Sequence, residues 1–161
     1  MTDALVKRLA KDVIDRAPKK SFTLSVAESC TGGLICAALT DIPGASAVFT
    51  HGFITYANEA KRDILGVPQE MLTTHGAVSA PVALAMAKGA KQRSQTDLSV
   101  SVTGIAGPGG GSPDKPVGLV YIAVAGPKGG TVHRHIFPKG GREYIRLLTV
   151  RAALRHLLKM M

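Results

Sequence analysis

The first third of the chain alternates between helical and extended hydrophobic patterns. Leu5 and Val13 belong to a set of apolar residues with helical spacing that Pro18 interrupts, which predicts an amphipathic helix at the start of the chain. Residues 22–27 form a short apolar run typical of a strand, and residues 34–39 carry a second apolar stripe. The pattern therefore predicts a helix, a strand, a tight turn and another helix.

The middle of the chain is predicted to hold shorter elements. Residues 48–56 are β-branched and aromatic, which predicts one strand, or two strands bent at Gly52. Asn58 offers an N-cap for a short helix that ends at Gly66, and Ser79 offers an N-cap for a longer one. Short helices are therefore expected to pack over a sheet.

The last third combines strands, a long loop and a helix. Residues 98–103 form a strand pattern, and the glycine- and proline-rich segment 104–116 has too few amide donors for a helix or central strand. Residues 119–125 and 131–137 are separated by a glycine-rich turn and are predicted to form a hairpin. A final helix is predicted over 141–159.

Strands that first alternate with helices and then form a hairpin are typical of the α/β class. We expect a three-layer α/β/α sandwich with a mixed sheet of about five strands. The 161 residues are enough for one substantial core and too few for two ordinary domains. A single domain spanning 1–161 is therefore predicted.

The net charge of the chain indicates which classes of ligand are expected. The chain has 20 Lys and Arg against 11 Asp and Glu, a net charge of +9, which favours anionic ligands and is compatible with nucleic acid. Aromatic residues make up only 4%, so a stacking surface for single strands is poorly supplied and no specific nucleic-acid partner is expected. Basic residues recur along the predicted last helix: Arg142, Arg146, Arg151, Arg155 and Lys159.

Several other classes of protein are not supported. The sequence has no signal-peptide pattern and no apolar stretch of the roughly 18 residues a membrane span needs, so a cytoplasmic protein without a membrane partner is expected. Cys30 and Cys36 fit neither a zinc site nor a redox pair and are predicted to be free thiols. His133 and His135 share one face of a strand without a third ligand; they are interpreted as surface histidines, and no metal is expected.

The turn between the first strand and the second helix is the first candidate site. Ser29 and Thr31 bring hydroxyl groups there, and Gly32 and Gly33 follow them. Unpaired amides at a helix N-terminus can hold a phosphate or stabilise an oxyanion. Ordinary helix capping by Ser29 or Thr31 explains the same residues equally well.

A lysine near a helix start is the second candidate. Lys61 is predicted at the third position of a helix capped by Asn58, where the helix dipole and Arg62 disfavour its charged form. An uncharged lysine can take a proton from a serine hydroxyl. Ser46, in the loop 44–47, is one such serine, although a turn serine and a solvated lysine are the ordinary interpretations.

A third candidate is the loop that follows the predicted strand 98–103. Thr103, Gly104 and Gly107 lie where substrates bind at the edge of a sheet. The loop lacks the closing Gly-Lys-Ser/Thr of a P-loop, and it lacks the glycine spacing of the dinucleotide fingerprint. ATP and NAD are therefore unsupported, and no cofactor is expected.

Six strings together resemble the CinA C-terminal family, whose stand-alone members are nicotinamide mononucleotide deamidases. They are AESCTGG, GASAVF, FITYANEAKRDILGV, HGAVSAPVA, VTGIAGPGGGSPDKPVGLVYIA and FPKGGREYIR. The resemblance spans nearly the whole chain in order. Larger members carry a preceding nucleotide-pyrophosphatase-like domain, and we expect that activity to be absent here.

The resemblance implies a metal-free hydrolysis of nicotinamide mononucleotide to nicotinic acid mononucleotide and ammonia, in pyridine nucleotide salvage, at a Ser-Lys type site. Where family members read F-x-G-D-R, this chain reads FPKGGR, ending at Arg142. The motif positions fall on Ser29, Ser46, Tyr56, Lys61, Thr103 and Arg142.

In the expected mechanism a serine attacks the carboxamide carbon and Lys61 takes its proton, and Lys61 or Tyr56 protonates the departing ammonia. Ser46 is preferred narrowly over Ser29, because the amides of the 29–33 turn suit charge stabilisation better than attack. Thr103, the loop 104–111 and Arg142 are expected to bind ribose and phosphate. The alternative is a non-catalytic module that binds a nucleotide or nucleic acid; a homo-oligomer is compatible with either.

Overall fold

Five strands form one mixed sheet at the centre of the molecule, in the order β2-β1-β3-β4-β5. The computed structural model describes residues 3–161. The strands are β1 Leu24–Glu28, β2 Phe49–Ile54, β3 Leu98–Gly104, β4 Leu119–Gly126 and β5 Gly129–Ile136. The helices are α1 Ala4–Arg16, α2 Leu34–Thr40, α3 Asn58–Leu65, α4 Gln69–His75, α5 Ala80–Ser94 and α6 Arg142–Met160.

Helices cover both faces of this sheet. Helices α1, α2 and α6 pack on one face, and α5, with α3 and α4 beside it, packs on the other. Strands β1 and β3 are buried along nearly their whole length, which explains why they read as continuous runs of small and apolar residues. The predicted three-layer α/β/α sandwich is confirmed. None of the helices within 3–161 has the length and apolar character needed to cross a bilayer.

The strand directions confirm the predicted mixed sheet. Strand β1 is parallel to both β2 and β3, whereas β4 is antiparallel to β3 and β5. The hairpin is tighter than predicted, because Gly126 pairs directly with Gly129 and only Pro127 and Lys128 remain in the turn. Segment 48–56 holds one strand, and it is not divided at Gly52.

The helix starts are mostly as predicted. Ser79 caps α5, accepting a hydrogen bond from the Val82 amide at 3.4 Å. The expectation that Asn58 caps α3 is wrong by one residue. Ala57 is the N-cap, with extended dihedrals (φ −80°, ψ 157°) and no side-chain cap. Lys61 therefore lies at the fourth helical position, one residue further into the helix than predicted.

The three parallel strands bring three connections to one edge of the sheet. Ser29 follows β1, Thr55 and Tyr56 follow β2, and the glycine-rich loop 105–118 follows β3. The carboxyl ends of parallel strands are where α/β sheets bind ligands. The candidate residues of these connections are therefore positioned to meet there.

Candidate active site

A buried lysine contacts a serine at this edge. Lys61 extends from the first turns of α3, and the residue is only 1% exposed. Its Nζ lies 3.0 Å from Ser29 Oγ, 2.8 Å from the Thr55 carbonyl oxygen and 3.1 Å from the Tyr56 carbonyl oxygen. The Lys61 amine therefore contacts residues that follow both β1 and β2.

Burial disfavours the charged form of this amine. Desolvation lowers the pKa of Lys61 below its ordinary value of 10.5, opposed by a smaller effect of the Cys30 thiol. No carboxylate pairs with Lys61 in the described part of the chain. Burial, rather than the expected neighbouring charge, is the main cause, since Arg62 is exposed and pairs with Asp63.

The three contacts fix the direction of the amine lone pair. An uncharged amine has two hydrogens and one lone pair. The Thr55 and Tyr56 carbonyls can only accept, so they take the two hydrogens, and the lone pair is left for Ser29. The Ser29 hydroxyl can then donate to Nζ, which is the arrangement that proton transfer from serine to lysine requires.

The preference for Ser46 as the nucleophile is corrected by these positions. Ser46 is exposed in the 3₁₀ turn Ala45–Ala47, which precedes β2, whereas Lys61 follows β2. The six residues of β2 separate the two ends, a length of roughly 20 Å at about 3.3 Å per residue. Ser46 therefore lies at the opposite edge of the sheet from the Lys61 amine.

Glu28 occupies the anion position predicted at the start of α2. Its carboxyl oxygens accept hydrogen bonds from the amides of Gly33, Ile35 and Cys36 at 3.0, 3.2 and 2.9 Å. Glu28 itself is fully buried at the end of β1. These three amides are therefore engaged within the chain and are not available to a ligand anion, whereas the expected stabilisation of an oxyanion by other amides of the turn stays a prediction.

The two glycines of the turn have a local structural reason. The Gly32 amide donates to the Ser29 carbonyl and the Leu34 amide donates to the Thr31 carbonyl, forming two successive turns. Gly32 and Gly33 are the central residues of the second turn, with φ of +56° and +102°, a conformation that favours glycine. Their amides are engaged within the chain, so the predicted direct contact with substrate is not supported.

The backbone amides that remain available as donors belong to the two residues before Gly32. Within residues 3–161, the amides of Cys30 and Thr31 donate to no other residue. The Thr31 and Thr55 hydroxyls are buried without a hydrogen-bond partner among the same residues. Two unpaired amides directly after a serine are the kind of donors from which an oxyanion hole can be built.

Tyr56 and Arg142 meet on the outer side of the site. Tyr56 is 58% exposed, and its hydroxyl oxygen accepts a hydrogen bond from Arg142 Nη2 at 2.8 Å. Arg142 Nη1 donates to the Gly107 carbonyl at 3.0 Å. The Tyr56 side chain thus contacts Arg142, while its carbonyl contacts Lys61. The start of α6, the end of β2 and the glycine-rich loop are joined at this point.

Thr103 and Gly104 hold the base of the glycine-rich loop. The Thr103 hydroxyl donates to the Ala77 carbonyl at 2.8 Å, and the residue is 1% exposed. A Cβ on Gly104 would lie 2.6 Å from the Val120 side chain, closer than packed atoms allow. Both residues therefore have packing roles, and their expected role as substrate ligands is not supported by free groups.

A third histidine, missed in the sequence, lies beside His133 and His135. The His156 ring from α6 stacks on His133, and its Nε2 lies 2.9 Å from Nε2 of His135. The two strand histidines thus face α6 and are half-buried, which corrects their interpretation as surface residues. Within 3–161, no group of three or more His, Cys, Asp or Glu residues could hold a metal.

Arg146 was predicted only as one member of a basic helix, yet it contacts the Ser29 turn. Its Nε donates to the Cys30 carbonyl at 3.1 Å, and its Nη2 donates to the Thr31 carbonyl at 2.8 Å. The sequence feature that could have indicated this contact is the spacing of Arg146, which lies one helical turn after Arg142 on the same side of α6.

The protein is thus of the α/β class. It has a three-layer fold with a buried serine–lysine pair at the carboxyl ends of its parallel strands. The sequence profile of the CinA C-terminal domain matches residues 6–161. The chain belongs to this family.

Individual relatives agree with this assignment. A CinA-like protein of Parasynechococcus marenigrum is 53% identical over 150 residues, which cover 92% of this chain and 36% of that protein. The competence/damage inducible protein CihA of Agrobacterium tumefaciens is 51% identical, with a TM-score of 0.96 over 99% of this chain and 97% of that one. A CinA superfamily protein of Escherichia coli is 34% identical, with a TM-score of 0.94 over 100% and 94% of the two chains. This chain spans about a third of the length of the curated relatives it matches.

Proposed function

We propose that this protein hydrolyses the carboxamide of nicotinamide mononucleotide, with Ser29 as the nucleophile and Lys61 as the base. The observation that carries the proposal is the 3.0 Å contact between Lys61 Nζ and Ser29 Oγ. The two carbonyls that hold the other amine hydrogens support it, because they leave only the lone pair for Ser29. The products are nicotinic acid mononucleotide and ammonia.

The first half of the reaction forms an acyl-enzyme. Ser29 Oγ bonds to the carboxamide carbon while its proton passes to Lys61, and the amide oxygen becomes an oxyanion. The amides of Cys30 and Thr31 stabilise that charge. The carbon–nitrogen bond then breaks, and the Lys61 ammonium gives its proton to the departing nitrogen, which leaves as ammonia.

The second half returns the enzyme to its starting state. A water molecule attacks the acyl carbon as Lys61 takes one of its protons, and a second oxyanion forms at the same amides. The bond to Ser29 Oγ breaks, and Lys61 returns the proton to that oxygen. Lys61 thus both accepts and donates the proton in each half of the reaction. The Tyr56 hydroxyl, which contacts Arg142, is not needed as a proton donor.

Arg142 is the group best suited to bind the substrate phosphate. Its guanidinium lies on the outer side of the site, and Gly107 and Tyr56 hold it through one nitrogen each. The remaining N–H groups can donate to phosphate oxygens. A phosphate bound there would place the pyridine ring toward Ser29, so that binding energy orients the carboxamide.

The test is ammonia release from nicotinamide mononucleotide by the purified protein and by three single variants. We expect Ser29→Ala and Lys61→Ala each to lower turnover by about 100-fold or more, because each removes a group that acts in bond making. Ser46→Ala is the matched control, since it removes a serine hydroxyl at the opposite edge of the sheet, and it should retain wild-type turnover.

Circular dichroism should show that all three variants remain folded. If a folded Lys61→Ala retains more than about a tenth of wild-type turnover, Lys61 is not the base. A wild-type protein that releases no ammonia, yet retains nucleic acid in a salt-sensitive manner, would instead support a binding module.

A further inference from the structure

One guanidinium group holds two consecutive carbonyls of the turn that begins at Ser29. Arg146, half-buried in the second turn of α6, donates from Nε to the Cys30 carbonyl and from Nη2 to the Thr31 carbonyl, at 3.1 and 2.8 Å. No carboxylate within residues 3–161 pairs with it. The planar fork of arginine suits such a bridge, whereas a lysine ammonium cannot reproduce its geometry.

This contact determines where the Thr31 amide points. In a trans peptide the carbonyl and the following N–H point in opposite directions. Because the Cys30 carbonyl points toward Arg146, the N–H of Thr31 points away from it. The Cys30 N–H is set in the same way by the Ser29 carbonyl, which accepts from Gly32. One of the two available donors beside Ser29 is therefore oriented by a side chain from α6.

We propose that Arg146 is a positioning residue that keeps the Thr31 amide directed at the oxyanion formed on attack by Ser29. It touches the turn from behind and makes no contact with the reacting atoms. This inference rests on the proposed acyl transfer, and it adds a residue that the serine–lysine pair alone does not require. Arg142, one helical turn earlier, faces the outer side of the site and has a different task.

The experiment compares steady-state kinetics of Arg146→Ala and Arg146→Lys with the wild type. We expect both variants to lower kcat by about 10- to 100-fold, since removing one oxyanion donor costs about 100- to 1,000-fold and the Thr31 amide is misdirected rather than deleted. KM should change by less than about threefold, because the ground-state substrate does not contact Arg146. Arg155→Ala is the control, an exposed arginine on the same helix, and its kcat should equal the wild-type value.

Chemical rescue separates positioning from a general loss of structure. A groove of about 390 Å³ between α1, α2 and α6 is lined by Arg146, so a guanidinium ion can reach the space that Arg146→Ala leaves. Millimolar guanidinium chloride, well below denaturing concentrations, should raise kcat of Arg146→Ala at least threefold and leave the wild type unchanged. No rescue of a folded Arg146→Ala would overturn the proposal, as would an unchanged kcat with a raised KM.

A second readout does not depend on the identity of the substrate. A small fluorophosphonate reacts with an activated serine: the Ser29 oxygen bonds to phosphorus, fluoride leaves, and Lys61 takes the proton. The labelling rate of Ser29 should fall at least tenfold in Arg146→Ala. If the wild type is labelled rapidly but releases no ammonia from nicotinamide mononucleotide, the proposed substrate is wrong. The difference in labelling rate between the two proteins still tests the role of Arg146. Equal labelling rates in the wild type and Arg146→Ala would refute the role of Arg146 and leave the proposed function untouched.

Discussion

A lysine ammonium is costly to bury without a carboxylate, and within residues 3–161 Lys61 has oxygen partners only from Ser29 and two backbone carbonyls. Desolvation therefore lowers the pKa of this amine. Since the proposed base is the uncharged amine of Lys61, turnover should rise with pH through that lowered pKa and fall as the pH drops below it. The chemistry is thus expected to depend on pH through a single residue.

The measurement is kcat for nicotinamide mononucleotide at saturating substrate between about pH 6 and about pH 9. We expect one ascending limb with an apparent pKa below the ordinary lysine value. Lys61→Arg provides the comparison, because a guanidinium stays charged throughout this range and should give no active limb. A wild-type kcat that falls with rising pH would contradict the role of Lys61 as base.

Of the proposed serine–lysine pair, the lysine was easier to predict from the sequence than the serine. Lys61 stands near a helix start, a local feature that can be read from neighbouring residues. The choice between Ser29 and Ser46 depends on strand direction, because one serine follows β1 and the other precedes β2. Only the parallel pairing of these strands places the two serines at opposite edges. This pairing is a long-range property that the hydrophobic pattern of 48–56 did not specify.

At the scale of elements, the turn between β1 and α2 depends on Glu28. Its buried carboxylate accepts three amide hydrogen bonds from the first turns of α2 and from Gly33. Helix α2 has only seven residues and, in the described part of the chain, no other side-chain cap, so these bonds are a large part of what fixes its start. The carboxylate thereby stabilises the backbone that carries Ser29.

Removing this cap should destabilise the fold. Glu28→Ala leaves one buried and two half-buried amides without their acceptor, and we expect the free energy of unfolding to fall by about 2–4 kcal/mol. The control is Glu70→Ala, which removes an exposed carboxylate from the first turn of α4 and should cost less than about 1 kcal/mol. Urea unfolding followed by circular dichroism measures both, and equal losses in the two variants would contradict a specific role for Glu28.

Element types were predicted well where the periodicity was long, as in α1, α5 and the hairpin. The boundaries were less well predicted. Extended dihedrals at Ala57 moved the start of α3 by one residue, and pairing of Gly126 with Gly129 shortened the turn between β4 and β5. The cap formed by Glu28 was not predicted, because it acts on amides five to eight residues further along the chain.

At the scale of the whole molecule, β5 and the end of α6 meet through three histidines. Burial lowers the pKa of His156 to about 4, and the charges of His133, His135 and Lys159 add to the shift. Burial also lowers the pKa of His133 and His135. The native state therefore binds fewer protons than the unfolded state between the ordinary histidine pKa of 6.5 and about 4.

Stability should consequently decrease as the pH falls through this window. Proton uptake by His156 on unfolding should lower the free energy of unfolding by about 2 kcal/mol between about pH 7 and about pH 5, and the loss should grow further and level off below about pH 4. His156→Gln should flatten the dependence, whereas His75→Gln, which removes an exposed histidine from α4, should not. Urea unfolding at each pH provides the values, and identical slopes for His156→Gln and the wild type would contradict this assignment.

The two ends of the candidate site differ in charge. At the Ser29 end the Glu28 carboxylate and the Arg146 guanidinium both contact the turn and offset each other. At the outer end the Arg142 guanidinium pairs with no carboxylate within residues 3–161. A molecule with an anionic group at one terminus and a neutral amide at the other is therefore attracted in one orientation only. Such a molecule is sorted head from tail before any bond is broken.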